Sequence, residues 1–271
     1  MYIKNNHIAN QLYVPYTKSV RNLAQSARRL ATGEKIPTAA DGGGELSVAD
    51  RWQQMVRGTS KLIAGMENTM GYLATQDEVL NQATQVLQRM SELAASALDT
   101  TKNTNDRIAL ESEFDALESE IINLSGRRYN GISLFGNVLS VRYDITSIGA
   151  GPGQTVTLSS IDLNGLATNI AGLTLSQLGS ASNALISITS RLKSINIMKA
   201  YAGNNSNEIS RTIDFTRQHV RNLGQAENFV RNIDIAIEAG NFTKEQVILS
   251  ASQSVLTQAN GIIQSAMQFL G

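Results

Sequence analysis

The chain has 271 residues, with 23 Lys+Arg against 23 Asp+Glu. A formal net charge of zero excludes nucleic-acid binding that relies on bulk positive charge, and it removes the self-repulsion that keeps chains apart. There is no Cys and only His7 and His219, which excludes disulfides, thiolate metal sites, a Cys nucleophile and a multi-histidine metal centre. Residues 5–32 carry Ile8, Leu12, Leu23, Ala27 and Leu30 on a roughly helical period, with Gly33 where a C-cap belongs. Pro15 interrupts this segment and predicts a kink or a late start. Residues 34–45, with Pro37 and Gly42-Gly43-Gly44, read as a connector.

From Glu45 to about Thr100 the pattern is helical throughout. Leu62, Met66, Leu73, Leu80, Leu87, Met90, Ala94 and Ala97 fall at steps of three, four or seven. Such a helix is about 80 Å long at 1.5 Å per residue, too long for a simple ball. Trp52 and the methionines at 55, 66, 70 and 90 read as core. Thr101 to Asn105 is a polar turn with good N-cap residues. Leu110, Phe114, Leu117, Ile121 and Leu124 then step 4-3-4-3, a coiled-coil seam that Gly126 ends. The short loop makes these two helices antiparallel neighbours.

Val138 to Tyr143 and Thr155 to Leu158 read as strands, with Gly149 to Gly153 as the turn between them. Leu166 to Leu178 reads as irregular or hairpin structure. Helix returns at about Ser182 and keeps its period to Leu223. Gly240-Asn241 breaks the pattern, and Thr243 is the predicted N-cap of a final helix. That helix presents Ile248, Val255, Ala259, Ile262, Ala266 and Phe269 on one face.

The fold class is therefore mainly α: an elongated antiparallel helical bundle with a small β region at about 138–180. No window approaches 18 consecutive apolar residues, and no cleavable secretory segment is evident. There is no P-loop, no G-x-S-x-G elbow and no H-E-x-x-H, so nothing supports an enzyme or a cofactor. Neither terminal helix has a strongly basic polar face, which argues against a membrane surface. Both terminal helices are amphipathic and need partners for their apolar faces. They complete one bundle core within the chain, or they pair with other copies.

Four patches, in order along the chain, resemble bacterial flagellin. They are Leu30 to Asp41, Leu87 to Ala94, Asn123 to Gly126 with Tyr129 to Phe135, and Ser254 to Asn260. The departures are Pro15 and the Gly42-Gly43-Gly44 run. The resemblance implies a terminal coiled-coil domain, D0, from residues 1–42 and 232–271. It implies a rod domain, D1, over 43–231, and no inserted outer domain. It implies a structural subunit that self-assembles into the flagellar filament used for swimming. The family's shared fold keeps a second reading in view: a hook–filament junction protein, or another coiled-coil adaptor or secretion-tip protein.

The residues expected to form the polymerisation interface are Ile8, Leu12, Leu23, Leu30, Ile248, Val255, Ala259, Ile262 and Phe269. Arg51, Arg57, Arg107, Glu111, Arg127 and Arg128 are candidates for polar patches between rod domains. Arg89 and Glu113 match positions of the family's surface recognised by the flagellin-sensing Toll-like receptor. The implied partners are further copies of the chain, the filament cap, the hook-junction proteins and the flagellar type III export apparatus. An export chaperone would grip residues 243–271. Nucleic acid and membrane are not expected as partners. The implied location is outside the cell, in the flagellum.

Overall fold

A computed structural model describes residues 7–145 and 153–270. Ten elements follow in order: α1 (His7–Thr32), α2 (Ala39–Ala97), α3 (Thr104–Ser125), β1 (Arg128–Tyr129), β2 (Ile132–Ser133), β3 (Ser140–Arg142), β4 (Thr155–Thr157), α4 (Leu163–Thr168), α5 (Leu178–Arg231) and α6 (Ile235–Leu270). They divide into two compact units. One comprises Met1–Gln54 and Asn222–Gly271, the other Met55–Arg221.

In the Met55–Arg221 unit the heptad pattern becomes the core. Met66, Leu73, Gln76, Leu80, Ala83, Leu87, Met90, Ala94 and Ala97 of α2 are all buried. Phe114, Ile121 and Leu124 of α3 meet them, as do Ala181, Ala184, Ile188, Ile195, Ala202 and Ile209 of α5. Asn103 caps α3 in a reciprocal pair with Asp106, each side chain accepting from the other's backbone N–H. Arg107 closes the preceding helix end, donating through Nε to the Ala97 carbonyl and through Nη2 to that of Asp99, both at 3.0 Å.

Two two-stranded antiparallel sheets lie between α3 and α5. In β3–β4, Val141 faces Val156. The expected turn from Gly149 lies outside the described residues up to Pro152. The β1–β2 hairpin has no counterpart in the apolar pattern of the sequence. It turns on Asn130-Gly131, with φ of 47° and 81°, a two-residue loop suited to these residue types. Part of the segment read as irregular is the helix α4, where Asp162 Oδ1 accepts from the Gly165 N–H and Leu163, Leu166 and Ala167 are buried. The sheets hang on α2 and α5 through polar anchors. Tyr72 Oη donates to the Leu134 carbonyl at 2.9 Å, and buried Asn205 bonds both backbone groups of Ser159.

In the other unit, α1 pairs with α6. α1 begins at His7 and carries Pro15 inside it rather than starting after it. The proline removes the N–H that would reach the Gln11 carbonyl. Pro15 is exposed, and Thr17 Oγ1 donates to the Val14 carbonyl at 2.9 Å. Gly33 caps α1 at φ 72°, its N–H donating to the Arg29 carbonyl at 2.8 Å. α2 already begins at Ala39 but is broken at Gly42, so the regular helix resumes inside the glycine run. The expected break at Gly240-Asn241 is absent: α6 runs straight through it from Ile235. The chain breaks earlier because the Asp234 carboxylate accepts from the N–H groups of Ala236 and Ile237 and starts the helix there. Thr243 sits mid-helix, bonded back to the Ala239 carbonyl.

Candidate assembly surface

α1 and α6 are antiparallel, and two polar contacts set their register. Arg29 Nη1 lies 3.9 Å from Glu238 Oε1, and Asn22 Nδ2 donates to Glu245 Oε1 at 3.1 Å. The partners step by seven residues on each helix, so one face of each helix meets the other continuously. On α1 that face carries Tyr16, Ser19, Leu23, Ser26 and Leu30, with both serines buried. On α6 it carries Glu238, Phe242, Glu245, Leu249, Ser252, Leu256 and Ala259 at alternating steps of four and three. Ala259 is buried at 6% exposure and belongs to this face.

Each helix has a second apolar stripe beside that seam. On α6 it is formed by Ile237, Ile248, Val255 and Ile262, exposed at 65, 37, 47 and 61%. On α1 it is formed by Tyr13 and Val20 with exposed Ala24, Ala27 and Ala31. A helix with one buried face normally surrounds it with polar residues. Here the apolar surface runs on round the helix. The expected interface residues therefore divide. Leu23, Leu30 and Ala259 pack within the chain, whereas Ile248, Val255 and Ile262 face outward. The side chains of Ile8, Leu12 and Phe269 lie outside the described residues.

The connectors between these helices and their neighbours are tied together, which nothing in the periodicity indicated. Glu34 and Asn232 form an antiparallel bridge. The Lys35 N–H donates to the Arg231 carbonyl at 2.7 Å, and the Ile233 N–H to the Gly33 carbonyl at 3.1 Å. Arg231 Nη2 donates to Asp50 Oδ1 at 2.7 Å, and its guanidinium lies 3.5 Å from Glu34 and 3.3 Å from Glu227. Those carboxylates, Asp50 foremost, raise the already high pKa of the guanidinium. The nearest sequence clue was the crowding of polar residues around the glycine run.

On the other unit, Arg89 Nε donates to Glu113 Oε1 at 2.8 Å and Nη1 to Glu92 Oε2 at 3.1 Å, with Arg89 and Glu113 about half exposed and Glu92 more so. The two predicted receptor-surface residues are thus an ion pair joining α2 to α3. Of the polar-patch candidates, Arg107 is engaged at the α2 terminus, while Arg57, Arg127 and Arg128 are exposed. Met66 and Met90 are core, and Trp52, Met55 and Met70 are half-buried. Among the described residues, no group of three acidic or histidine side chains is placed to hold a metal, and no helix is long and apolar enough to cross a membrane.

Two family models match the chain: the bacterial flagellin N-terminal helical region over residues 3–139, and the bacterial flagellin C-terminal helical region over residues 185–270. Among curated proteins, the flagellin of Halalkalibacterium halodurans is 27% identical over 253 residues, covering 92% of each chain. The flagellar filament 30.7 kDa core protein of Treponema maltophilum is 25% identical, covering 98% of this chain and 99% of its own. A solved structure described as a putative flagellar hook-associated protein from Vibrio parahaemolyticus aligns with a TM-score of 0.55 at 11% identity. It covers 72% of this chain and 98% of that one, and shows a common fold.

Proposed function

This chain belongs to the bacterial flagellin family and is a structural subunit of the flagellar filament; from that premise we propose that the second apolar stripes of α1 and α6 are the surfaces by which its copies join. The observation that carries this is the exposed row Ile237, Ile248, Val255 and Ile262, lying beside an already occupied seam. Burying apolar surface is worth about 25 cal/mol per Å², so a stripe this long contributes substantially once a neighbour covers it. Subunits related by a helical operator make non-closing contacts, and polymers grow from them.

In this reading residues 1–42 and 232–271, within the unit built from the two ends of the sequence, form the inner domain, D0. Residues 43–231, which include the whole Met55–Arg221 unit, form the rod domain, D1. Leu23, Leu30 and Ala259 hold the α1–α6 pair together, and Ile248, Val255 and Ile262 contact other copies. The filament cap and the hook-junction proteins meet the same terminal helices. An export chaperone covers residues 243–271 until the type III export apparatus carries the chain out of the cell. The exposed Arg89–Glu113 pair forms part of a surface open to innate receptors. The family is one of structural proteins, and no catalytic role is assigned.

The test is Val255→Asp with Ile262→Asp in the full chain. The variant keeps the wild-type helical content and fails to form filaments, as seen by sedimentation and negative-stain microscopy. Normal filaments from this double variant overturn the assignment of the stripe.

A further inference from the structure

The sequence holds three Asn-Gly pairs: Asn130-Gly131, Asn164-Gly165 and Asn260-Gly261. An asparagine followed by glycine is chemically vulnerable, because glycine has no Cβ to keep the side-chain carbonyl carbon away from its backbone nitrogen. The dipeptides rank alike as sequence, and the structure separates them. Asn164-Gly165 lies in α4, where the Gly165 N–H donates to Asp162 Oδ1 at 2.9 Å. Asn260-Gly261 lies inside α6, where the helical ladder occupies the glycine N–H.

Asn130-Gly131 is different. It is the exposed two-residue loop of the β1–β2 hairpin. The flanking residues are held: Tyr129 faces Ile132, and the Leu134 N–H donates to the Arg127 carbonyl at 3.1 Å. Within the loop, nothing among the described residues accepts from the Gly131 N–H, and nothing bonds the Asn130 side-chain amide. The surroundings are cationic. Arg128 Nη1 donates to the Gly131 carbonyl at 3.4 Å, and Asn130 lines a groove with exposed Lys61 and Arg142 and with no acidic residue. Positive charge nearby favours both an amide anion at Gly131 and a carboxylate at position 130.

We propose that Asn130 is a self-modifying site, converted by the chain's own backbone to aspartate and isoaspartate. A base in solvent takes the proton of the Gly131 nitrogen. That nitrogen bonds to Asn130 Cγ, the Cγ–Nδ2 bond breaks, and Nδ2 leaves as ammonia. The product is a five-membered succinimide. One water then opens it. Opening at Cγ gives aspartate on the original backbone. Opening at the backbone carbonyl carbon gives isoaspartate, with the chain running on through Cβ and Cγ. In sum one water is taken up, one ammonia is released, and nothing is oxidised or reduced. The attack needs rotation of one peptide in a solvent-facing loop, whereas the other two pairs must first open a helix.

The two products differ in consequence. Asp-Gly suits the same turn as Asn-Gly, so aspartate adds a charge and keeps the hairpin. Isoaspartate adds a methylene to a two-residue loop and breaks the pairing of β1 with β2. Tyr72 Oη and Gln76 Nε2 both donate to the Leu134 carbonyl just past β2, so the disturbance reaches the anchor of the hairpin on α2.

The test ages the full-length chain at mildly alkaline pH and maps its peptides by mass. The expected result is the mass gain of NH2 replaced by OH at Asn130, at a rate at least about tenfold above that at Asn164 or Asn260. The rate rises with pH, and an isoaspartate-specific methyltransferase labels part of the product. In urea the three sites react at similar rates, so the selectivity belongs to the fold. Asn130→Gly, whose Gly-Gly loop also suits the turn, shows no gain there and an unchanged circular dichroism spectrum. In the isoaspartate fraction the Leu134 N–H exchanges faster than in the aspartate fraction. Equal rates at the three sites of the folded chain overturn the proposal, as does an unaltered Asn130 after the unfolded chain has converted. Neither outcome bears on assembly through the terminal helices, which filament formation tests separately.

Discussion

Arg231 Nη2 donates to Asp50 Oδ1 at 2.7 Å, joining the last turn of α5 to an early turn of α2. The same residue's carbonyl accepts from Lys35 at the α1–α2 connector. One residue thus ties both connectors by backbone and side chain together. The side chain is only 19% exposed, so replacing it leaves Asp50 and Glu34 without their cation. Arg231→Gln is expected to lower the stability of this unit by about 1–3 kcal/mol. The amides of Lys35 and Ile233 then exchange faster in hydrogen-exchange measurements. Arg231→Lys recovers part of the loss, because an ammonium keeps the charge but lacks the fork that reaches Asp50 and Glu34 together.

The connector responds to acid through Asp41. Thr38 Oγ1 donates to its Oδ2 at 2.6 Å, and Gln25 Nε2 to its Oδ1 at 2.8 Å. The Thr38 bond, then the Gln25 bond and the charges of Arg28 and Arg29, hold its pKa below the usual 3.8. A depressed folded-state pKa gives stability that is present above 3.8 and is lost as pH falls through the lower value. Loosening of the Thr38–Asp41 turn is therefore expected only well below pH 4, read by the Asp41 N–H to Thr38 carbonyl exchange rate. Asp41→Asn removes this acid dependence.

The seam of the α1–α6 pair is built on small buried residues. Ser19 and Ser26 are 6 and 7% exposed. Ser26→Leu overfills that space and is expected to cost about 1–3 kcal/mol. Val20→Ser, on the exposed stripe, is expected to change the stability of the single chain by less than about 0.5 kcal/mol. It weakens polymer growth, so thermal unfolding and sedimentation report on the two faces separately.

Asn205 is 3% exposed and bonds the N–H and carbonyl of Ser159 at 3.0 and 2.9 Å. Asn205→Ala removes the partner of both backbone groups and is expected to cost about 1–3 kcal/mol, with faster exchange at Ser159. Phe114→Ala, at a fully buried position, is expected to cost about 3–5 kcal/mol in calorimetry.

The long helices were legible because an apolar residue every three or four positions specifies one buried face. The row from Met66 to Ala97 and the row from Phe114 to Leu124 lie where that period put them. The cap at Gly33 and the capping turn from Thr101 to Asn105 were legible for a local reason, since each depends on a residue's own conformation or side chain, and within that turn the structure uses Asn103. The start of α6 was misplaced because Gly240 looks like a breaker, whereas Asp234 supplies a cap that outweighs a glycine inside a long helix. The outward row of α6 was legible as apolar, but periodicity alone does not tell which of two adjacent stripes a partner covers.

Residue types and their spacing alone were enough for the helical class and for the buried rows of the long helices, because these rest on local propensity and on a repeat of three to four, while four patches in order along the chain carried the likeness to flagellin. Which apolar stripe is consumed inside the chain depended on the register of α1 against α6, set by Arg29–Glu238 and Asn22–Glu245. The Arg231 clasp likewise joins residues far apart in the chain. Such pairings follow from three-dimensional packing, where a one-residue slip exchanges a buried face for an exposed one, and no local pattern records them.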